Sequence, residues 1–363
     1  MRLISLLLLP TLLASSAVLG ASVPHATRGQ PDDGGHVPLP TRDALFTVPP
    51  SNFTSSLQCT STPNGKKKVV LLVHGTALNA KSWQSGPYWH LLPSHGPGYD
   101  VCTVNLPYNA LADAQVNGEY VAHAILTLAA KSKGGKIGVV THSQGGLNAQ
   151  WALTFWPSTR AKVSSFIGLA PDFHGTNLLP GPACLLETVL SLGQGCSAAF
   201  LQQQAGSNYL NAQESFYGTK GALVPTTAVF TRTDEIVIPQ FPDEIASSRL
   251  DGSQQFPLQN ADVCGLLHLA DHLEMQIDPA AYGIVLQSLA SSKGHITTAQ
   301  FDRTACYHFA NTDLNFDDAI PTLDYLTGLG TSVLFSGGVY SKGEPPLKKY
   351  VCQAGAATKC DGS

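Results

Sequence analysis

Charged side chains are scarce in this chain of 363 residues. Only 13% of the residues are charged, and 21 basic side chains stand against 25 acidic ones, which gives a formal net charge of -4. A surface that binds nucleic acid or an anionic membrane needs a concentration of basic charge. This composition lacks one, so we expect neutral substrates and no nucleic-acid partner.

Long apolar runs are absent after the first residues. The chain begins with Met1 and Arg2, continues almost without polar residues to Leu13, and reaches small residues at Ala17–Gly20. This run is shorter than the roughly 20 residues of a membrane helix, and its end suits a signal peptidase. We therefore expect a signal peptide at 1–20, a flexible leader or pro-segment at 21–43, one domain at 44–363, no transmembrane segment and an extracellular location.

Cysteine is well represented, in contrast to charge. Eight cysteines behind a signal peptide predict a disulfide framework. Their number leaves the pairing undetermined at this level. The single sequon Asn52-Phe53-Thr54 offers a glycosylation site at Asn52.

Apolar patterns of the strand type alternate with patterns of the helix type. Lys67–Val73 is an aliphatic run typical of a strand buried on both faces. Apolar residues recur at helical spacing through Val116–Ala130. Further strands are expected at Val101–Asn105, Val163–Ala170 and Pro225–Phe230. The alternation predicts an α/β fold with a mostly parallel central sheet flanked by helices.

The most informative segment is Thr141-His142-Ser143-Gln144-Gly145. It follows the apolar run Lys136–Val140 and precedes a helical pattern, so Ser143 is placed on a corner between strand and helix. A nucleophilic serine on such an elbow needs small neighbours because its backbone is strained. Gly145 meets that need, whereas Thr141 replaces the usual glycine of G-x-S-x-G. A plain turn that ends a buried strand remains the alternative.

A serine nucleophile needs an acid and a histidine, which in this arrangement follow it in that order along the chain. Asp234 lies just past the Pro225–Phe230 strand, and Glu235 is its rival. His272 is the expected base because Asp271 can anchor its loop. His268 is the second candidate; we expect it instead to be an interior histidine on an apolar strand over Val263–Leu269.

The assembled residues predict acyl transfer through an acyl-enzyme. His272 takes the proton of Ser143 and returns it to the leaving alcohol, while Asp234 fixes the tautomer. The expected oxyanion donors are the backbone N–H of Gln144 and the turn His74–Thr76, where Thr76 adds its hydroxyl. His268 and His272 lie four residues apart, yet no H-E-x-x-H pattern and no glycine-rich phosphate loop is found. No metal or cofactor is therefore expected.

Several longer motifs occur together in one order. They are Leu71–Thr76, Gln115–Tyr120, Thr141–Leu147, Ala170–Thr176 and Thr233–Val237. On these motifs the chain resembles the fungal lipase B family from about Leu57 to Cys306, and that family shares Thr141 in place of glycine. The resemblance implies an α/β-hydrolase fold that acts on carboxylic esters.

By position, the resemblance implies roles for particular residues. The triad is Ser143, Asp234 and His272, and the oxyanion hole is Thr76 with Gln144. It places Asp172, Thr176, Gln203 and Ile236 around the acyl pocket. His142 stands where the family has tryptophan, and His74 stands where it has proline. His142 is therefore expected in the alcohol-side pocket. We expect the enzyme to differ from the family in its tolerance for bulky secondary alcohols, which the His142→Trp variant tests.

The same resemblance pairs six of the cysteines, as Cys59–Cys102, Cys264–Cys306 and Cys352–Cys360. Cys184 and Cys196 then remain, inside a lid-like insertion expected near residues 177–205, which is rich in Leu, Gly, Pro and Gln. Pairing them closes a short loop and stiffens the cover. We expect substrate entry to need little lid opening.

The expected function is a secreted serine ester hydrolase of the lipase or carboxylesterase type, which cleaves esters such as acylglycerols and transfers acyl groups to alcohols when water is scarce. A polyester or cutin-type esterase, a catalytically silent binding protein of the same fold, and a peptidase are the alternatives. Expected partners are an ester or lipid substrate and a transient lipid interface. The expected oligomeric state is a monomer.

Overall fold

The computed structural model describes residues 37–178, 181–217, 221–308, 311 and 339–361. The expected signal peptide at 1–20 and residues 21–36 of the expected leader lie outside the described residues. Across the described ranges, no helix combines the length and apolarity that a membrane crossing requires.

A seven-stranded sheet forms the centre of the fold. Its strands are β1 (Leu57–Cys59), β2 (Lys68–Val73), β3 (Tyr99–Val104), β4 (Ile137–His142), β5 (Val163–Leu169), β7 (Thr226–Phe230) and β8 (Gln254–Pro257). Their order across the sheet is β1-β3-β2-β4-β5-β7-β8, and all neighbours are parallel except β1, which runs antiparallel to β3. A separate two-stranded sheet pairs β6 (Cys196–Ser197) with β9 (Tyr340–Ser341).

Helices surround this sheet. They are α1 (Pro50–Ser56), α2 (Lys81–Gln84), α3 (Pro87–His90), α4 (Ala114–Ala129), α5 (Gln144–Phe155), α6 (Gly181–Leu190), α7 (Ala198–Gln203), α8 (Asn208–Glu214), α9 (Pro279–Ala290) and α10 (Lys349–Gln353). Side chains of Asp113 and Asp278 accept hydrogen bonds from the first turns of α4 and α9, which satisfies backbone donors that a helix start leaves free.

Both faces of the sheet are buried, and β2 shows why its sequence is aliphatic throughout. Side chains alternate between the two faces of a strand, so Leu71 packs into the apolar cluster that contains α4 and α5, while Leu72 packs into the cluster that contains α9. A strand covered on both faces needs apolar residues at every position. The expected α/β-hydrolase fold is confirmed.

Residues at the end of the expected leader contact the domain, beginning with Val37, whose N–H donates to the carbonyl of Ser215. Asp43 accepts hydrogen bonds from Ser158, so residues 37–43 of the expected leader are held by the domain.

The segment Val263–Leu269 was expected as a strand but forms turns. Gly265 adopts a φ of 89°, which a strand does not contain, and Leu266, Leu267 and Leu269 are exposed.

All eight cysteines are paired. The pairs are Cys59–Cys102, Cys184–Cys196, Cys264–Cys306 and Cys352–Cys360, as expected. The second pair joins α6 to β6 in the described part of the expected insertion, which lies between β5 and β7. Asn52 is exposed on α1, next to Phe53, which is buried.

Candidate active site

The corner between β4 and α5 has the geometry of a nucleophile elbow. Ser143 stands between them with φ 54° and ψ -132°, a conformation that side-chain-bearing residues rarely adopt. A Cβ atom on Gly145 would lie 2.6 Å from the carbonyl oxygen of Val73. Glycine is therefore required at 145, because any side chain there would collide with the backbone of β2.

Parallel strands bring the remaining candidates to the same edge of the sheet. The carboxyl ends of β2, β4 and β7 precede Thr76, Ser143 and Asp234 respectively. Ligands of open α/β sheets bind at this edge. A Cβ atom on Gly75 would lie 2.7 Å from the Cβ of Ser143, so the turn after β2 lies directly against the serine.

His272 and Asp234 form a buried pair. Nδ1 of His272 lies 2.8 Å from Oδ2 of Asp234, and their side chains are 2% and 0% exposed. Oδ1 of Asp234 accepts hydrogen bonds from the backbone N–H groups of Ile236 and Val237, at 2.9 and 2.7 Å. These bonds fix the carboxylate, and the carboxylate in turn fixes the Nδ1–H tautomer of the imidazole.

The electrostatic environment makes His272 a stronger base. Burial opposes its charged form, but the carboxylate of Asp234, assisted by Glu235 and Asp172, raises the pKa of His272 above its ordinary value of 6.5. Glu235, the rival acid, accepts a 3.2 Å hydrogen bond from the backbone N–H of His272 rather than contacting the ring. The geometry therefore favours Asp234 over Glu235 as the partner of the imidazole.

Thr76 connects the turn after β2 to two glutamines. Its Oγ1 lies 2.9 Å from Oε1 of Gln144 and 2.9 Å from Oε1 of Gln203. A hydroxyl donates only one hydrogen, so Thr76 can donate to one of these oxygens at a time. Gln144 is the first residue of α5, where backbone N–H groups have no partner within the helix. Thr76 and the backbone N–H groups at the start of α5 are thus two sources of hydrogen-bond donors near Ser143.

His74 holds the start of this turn. Its Nε2 accepts a 3.0 Å hydrogen bond from the N–H of Leu106, and its Nδ1 lies 2.9 Å from the carbonyl of Gly75. Since Nε2 accepts, Nδ1 carries the proton and donates it. Burial lowers the pKa of His74 to about 4. A neutral, fully buried histidine thus orients the peptide that precedes Thr76.

The residues expected around an acyl pocket are linked to one another. Oγ1 of Thr176 donates to the carbonyl of Ile236 at 2.6 Å, and its N–H donates to the carbonyl of Gln203 at 2.9 Å. Gln203 also reaches Thr76, so the group is continuous with the turn after β2. Neither carboxylate oxygen of Asp172 has a hydrogen-bond partner among the described residues, and burial raises the pKa of this acid to about 7.

His142 and His268 have different surroundings. His142 is 1% exposed; its ring nitrogens lie 2.9 Å from the backbone oxygen of His272 and 2.8 Å from Nε2 of Gln276. His268 is partly buried, and its Nε2 lies 2.9 Å from Oδ2 of Asp278. The expectation of an interior strand histidine at 268 is wrong, because the segment turns and Asp278 pairs with the ring.

Sequence patterns did not indicate several residues that support the site. The hydroxyls of Thr231 and Thr233 donate to the carbonyl of Ala270 at 2.7 and 2.6 Å, and Nε2 of Gln276 contacts His142. The two threonines lie between β7 and Asp234, which is the one signal that could have indicated them. No local pattern marks Gln276, since its role depends on a contact with a residue 134 positions away.

The fold and this site define an α/β hydrolase with a nucleophile elbow. The profile of the family described as the alpha/beta hydrolase fold matches residues 68–185. Lipase B of Pseudozyma antarctica is 34% identical over 313 residues, which cover 85% of this chain and 86% of that protein. The crystal structure of Aspergillus fumigatus lipase B is similar with a TM-score of 0.75 and 29% identity, over 89% of this chain and 77% of that one. The chain belongs to the lipase B family.

Proposed function

We propose that this protein is a lipase-like carboxylic-ester hydrolase that uses Ser143 as nucleophile, His272 as general base and Asp234 as the carboxylate that orients the base. The observation that carries the proposal is the buried 2.8 Å bond between His272 and Asp234, beside an elbow serine in a chain of the lipase B family. A serine hydroxyl is a weak nucleophile until an adjacent base accepts its proton.

The reaction begins when Oγ of Ser143 attacks the ester carbonyl carbon and its proton passes to Nε2 of His272. The imidazolium is stabilised by Asp234. The resulting oxyanion accepts hydrogen bonds from the N–H of Gln144 and from the N–H and hydroxyl of Thr76. For this the Thr76 hydroxyl turns away from its glutamine partners, because it has one hydrogen to donate.

The tetrahedral intermediate collapses when its C–O bond to the alcohol breaks and His272 returns the proton to the departing oxygen. The acyl group is then bonded to Ser143. Water attacks this acyl-enzyme with His272 again as base, which releases the acid and restores the serine. An alcohol in place of water gives transesterification by the same steps.

Asp172, Thr176, Gln203 and Ile236 form the proposed acyl side of the site. A carboxyl group with a raised pKa is an acid that donates a hydrogen bond when neutral. Below about pH 7 Asp172 therefore offers a hydrogen-bond donor to an oxygen of the bound ester, whereas above it the group is a buried anion. Ile236 adds an apolar side chain to this group.

We propose that the protein meets its substrate at a lipid interface. Leu266, Leu267 and Leu269 are 78%, 94% and 71% exposed, and they lie on the loop that leads to His272. Exposed apolar groups next to a site mark contact with apolar partners. The eight paired cysteines favour an oxidising, extracellular compartment, where we propose that the protein acts as a monomer on acylglycerol-like esters.

Hydrolysis of p-nitrophenyl esters from acetate to palmitate, combined with labelling by an organophosphonate, tests the proposal. The wild-type protein is expected to hydrolyse these esters and to carry the label on Ser143. The Ser143→Ala variant should lose both properties, whereas Ser55→Ala, on the exposed side of α1, should keep both. Absence of label and of hydrolysis in the folded wild-type protein would support a silent binding protein instead.

A further inference from the structure

His142 connects the nucleophile to the loop that carries the general base. It is the last residue of β4 and directly precedes Ser143. Its Nε2 lies 2.9 Å from the backbone oxygen of His272, and the two rings are 4.7 Å apart between centroids. The residue before the serine therefore contacts the residue that accepts the serine proton.

The hydrogen bonds define a single tautomer of His142. A backbone carbonyl only accepts, so Nε2 carries the hydrogen and donates it to His272. Nδ1 then carries no hydrogen and accepts one from Nε2 of Gln276, at 2.8 Å. Both nitrogens of the buried ring are satisfied, and the side-chain nitrogen of Gln276 is linked to His272 through the ring of His142.

The backbone around His272 needs such support because the loop from Cys264 to Leu273 contains turns and no helix or strand. Side chains hold its peptide groups instead. Thr231 and Thr233 bind the carbonyl of Ala270, and Glu235 accepts from the N–H of His272. These three come from the segment after β7. His142 is the support that comes from the nucleophile strand.

We propose that His142, oriented by Gln276, is a positioning residue that holds the backbone of His272 in register with Ser143. The inference rests on the proposed function, because register between the two residues matters only if they exchange a proton. Proton transfer requires heavy atoms within hydrogen-bond reach, and a misplacement of about 1 Å costs about 10²-fold in rate.

A neutral imidazole suits this task. Burial lowers the pKa of His142 well below its ordinary value, and the nearby His272 and His74 lower it further. These two histidines are the titratable groups that face it, from the loop after Val263 and from the end of β2. At neutral pH His142 therefore keeps its donor and does not compete with His272 for the serine proton.

The expected role of His142 as a wall of the alcohol-side pocket makes a different prediction. A pocket wall changes KM and the preference for large alcohols. A positioning residue changes kcat for every ester, with little change in KM. It also changes the pH profile, since a loosened His272 loses part of the contact with Asp234 that raises its pKa.

The experiment compares His142→Phe, which keeps a flat ring without a donor, with His142→Gln, whose amide nitrogen can replace Nε2. We expect His142→Phe to lower kcat about 10- to 100-fold for short and long acyl esters alike, and to move the acidic limb of kcat/KM toward lower pH. His142→Gln should recover most of the lost kcat. The control is His123→Phe, a ring stacked on Phe53 away from the site, which should keep wild-type kinetics.

A second variant keeps the test decisive if His142→Phe folds poorly. Gln276→Met has a similar volume and no donor, so it should lower kcat in the wild-type background but add nothing to His142→Phe. Wild-type kcat and pH profile in Gln276→Met or in folded His142→Phe would overturn the inference while leaving the proposed function intact. A wild-type protein that neither hydrolyses esters nor takes the phosphonate would overturn both.

Discussion

Asp234 and His272 share a 2.8 Å hydrogen bond between Oδ2 and Nδ1 that is almost fully shielded from water. A charge-assisted bond in such surroundings is stronger than one at the surface. The bond also determines that Nδ1 of His272 carries the proton and that Nε2 is the nitrogen left to act as a base. It links the segment after β7 to a loop 38 residues further along the chain.

Replacement of Asp234 by asparagine should lower kcat by about 10³- to 10⁴-fold. An amide cannot stabilise the imidazolium, and its NH₂ group favours the wrong tautomer. The measurement is kcat for p-nitrophenyl butyrate at pH 8, with the circular dichroism spectrum as a check of folding.

Glu235→Gln is the matched control, because the Glu235 carboxylate accepts a hydrogen bond from the backbone N–H of His272 and not from its ring. It should lose much less activity than Asp234→Asn. A larger loss in Glu235→Gln would reassign the acid of the triad to residue 235.

The hydroxyl of Thr76 should contribute to the transition state. Loss of one oxyanion donor costs about 3 kcal/mol, or about 10²-fold in kcat. Thr76→Val, which has nearly the same shape, is expected to show this loss with little change in KM, whereas Thr76→Ser keeps the hydroxyl and should stay near wild type. Equal kinetics in the valine and serine variants would show that only the backbone N–H at 76 is used.

Asp172 should make folding stability depend on pH. Burial raises its pKa from 3.8 to about 7, so between these values the folded protein keeps a proton that the unfolded chain releases. The stabilising effect of this proton is complete below about pH 4 and is lost as the pH rises through 7. The free-energy change is on the order of a few kcal/mol for a shift of this size.

Asp172→Asn removes this titration. In thermal denaturation, its Tm relative to wild type should rise between pH 4 and pH 7 and change little at higher pH. Asp262→Asn, an exposed carboxylate, should follow the wild-type curve. If the difference between Asp172→Asn and wild type stays constant with pH, the buried carboxyl is not the group that titrates.

The Cys184–Cys196 bond should restrict large movements of the insertion between β5 and β7. It joins α6 to β6, and Glu187 accepts hydrogen bonds from the N–H and Oγ of Ser197 at 2.6 and 2.8 Å across the same short loop. We expect the hydrolysis rate for tributyrin to rise smoothly through the solubility limit. A steep jump above that limit would contradict a stiff cover.

The Cys184→Ser, Cys196→Ser double variant provides the comparison. Without the cross-link the unfolded chain gains freedom, so a lower Tm is expected. It should also show a stronger dependence on the lipid interface than wild type.

Local features of the fold could be predicted because they depend on short-range physics. The aliphatic run that forms β2 needs apolar residues on both faces, and the serine at the corner between strand and helix needs small neighbours because its backbone is strained. The order of serine, acid and histidine narrowed the partners to a few candidates. Glu235 remained a rival of Asp234 because adjacent carboxylates cannot be separated by sequence position alone.

The segment before His272 shows the limit of such reasoning. Val263–Leu269 is apolar, which predicted a buried strand, yet three of its leucines are exposed and the chain turns at Gly265. An apolar sequence segment indicates that apolar side chains are present, but it does not indicate whether the protein core or a partner covers them.

The sequence by itself determined the parallel sheet and the elbow, and it predicted Ser143 as the proposed nucleophile, because periodicity and backbone strain are encoded within a few residues. Tertiary structure alone decided that Asp234 faces the ring of His272 while Glu235 faces its backbone. It also decided that His142 contacts the backbone oxygen of His272, 130 positions away, and the side chain of Gln276, 134 positions away. A hydrogen bond needs atoms within about 3 Å, and only the folded chain brings such distant residues that close.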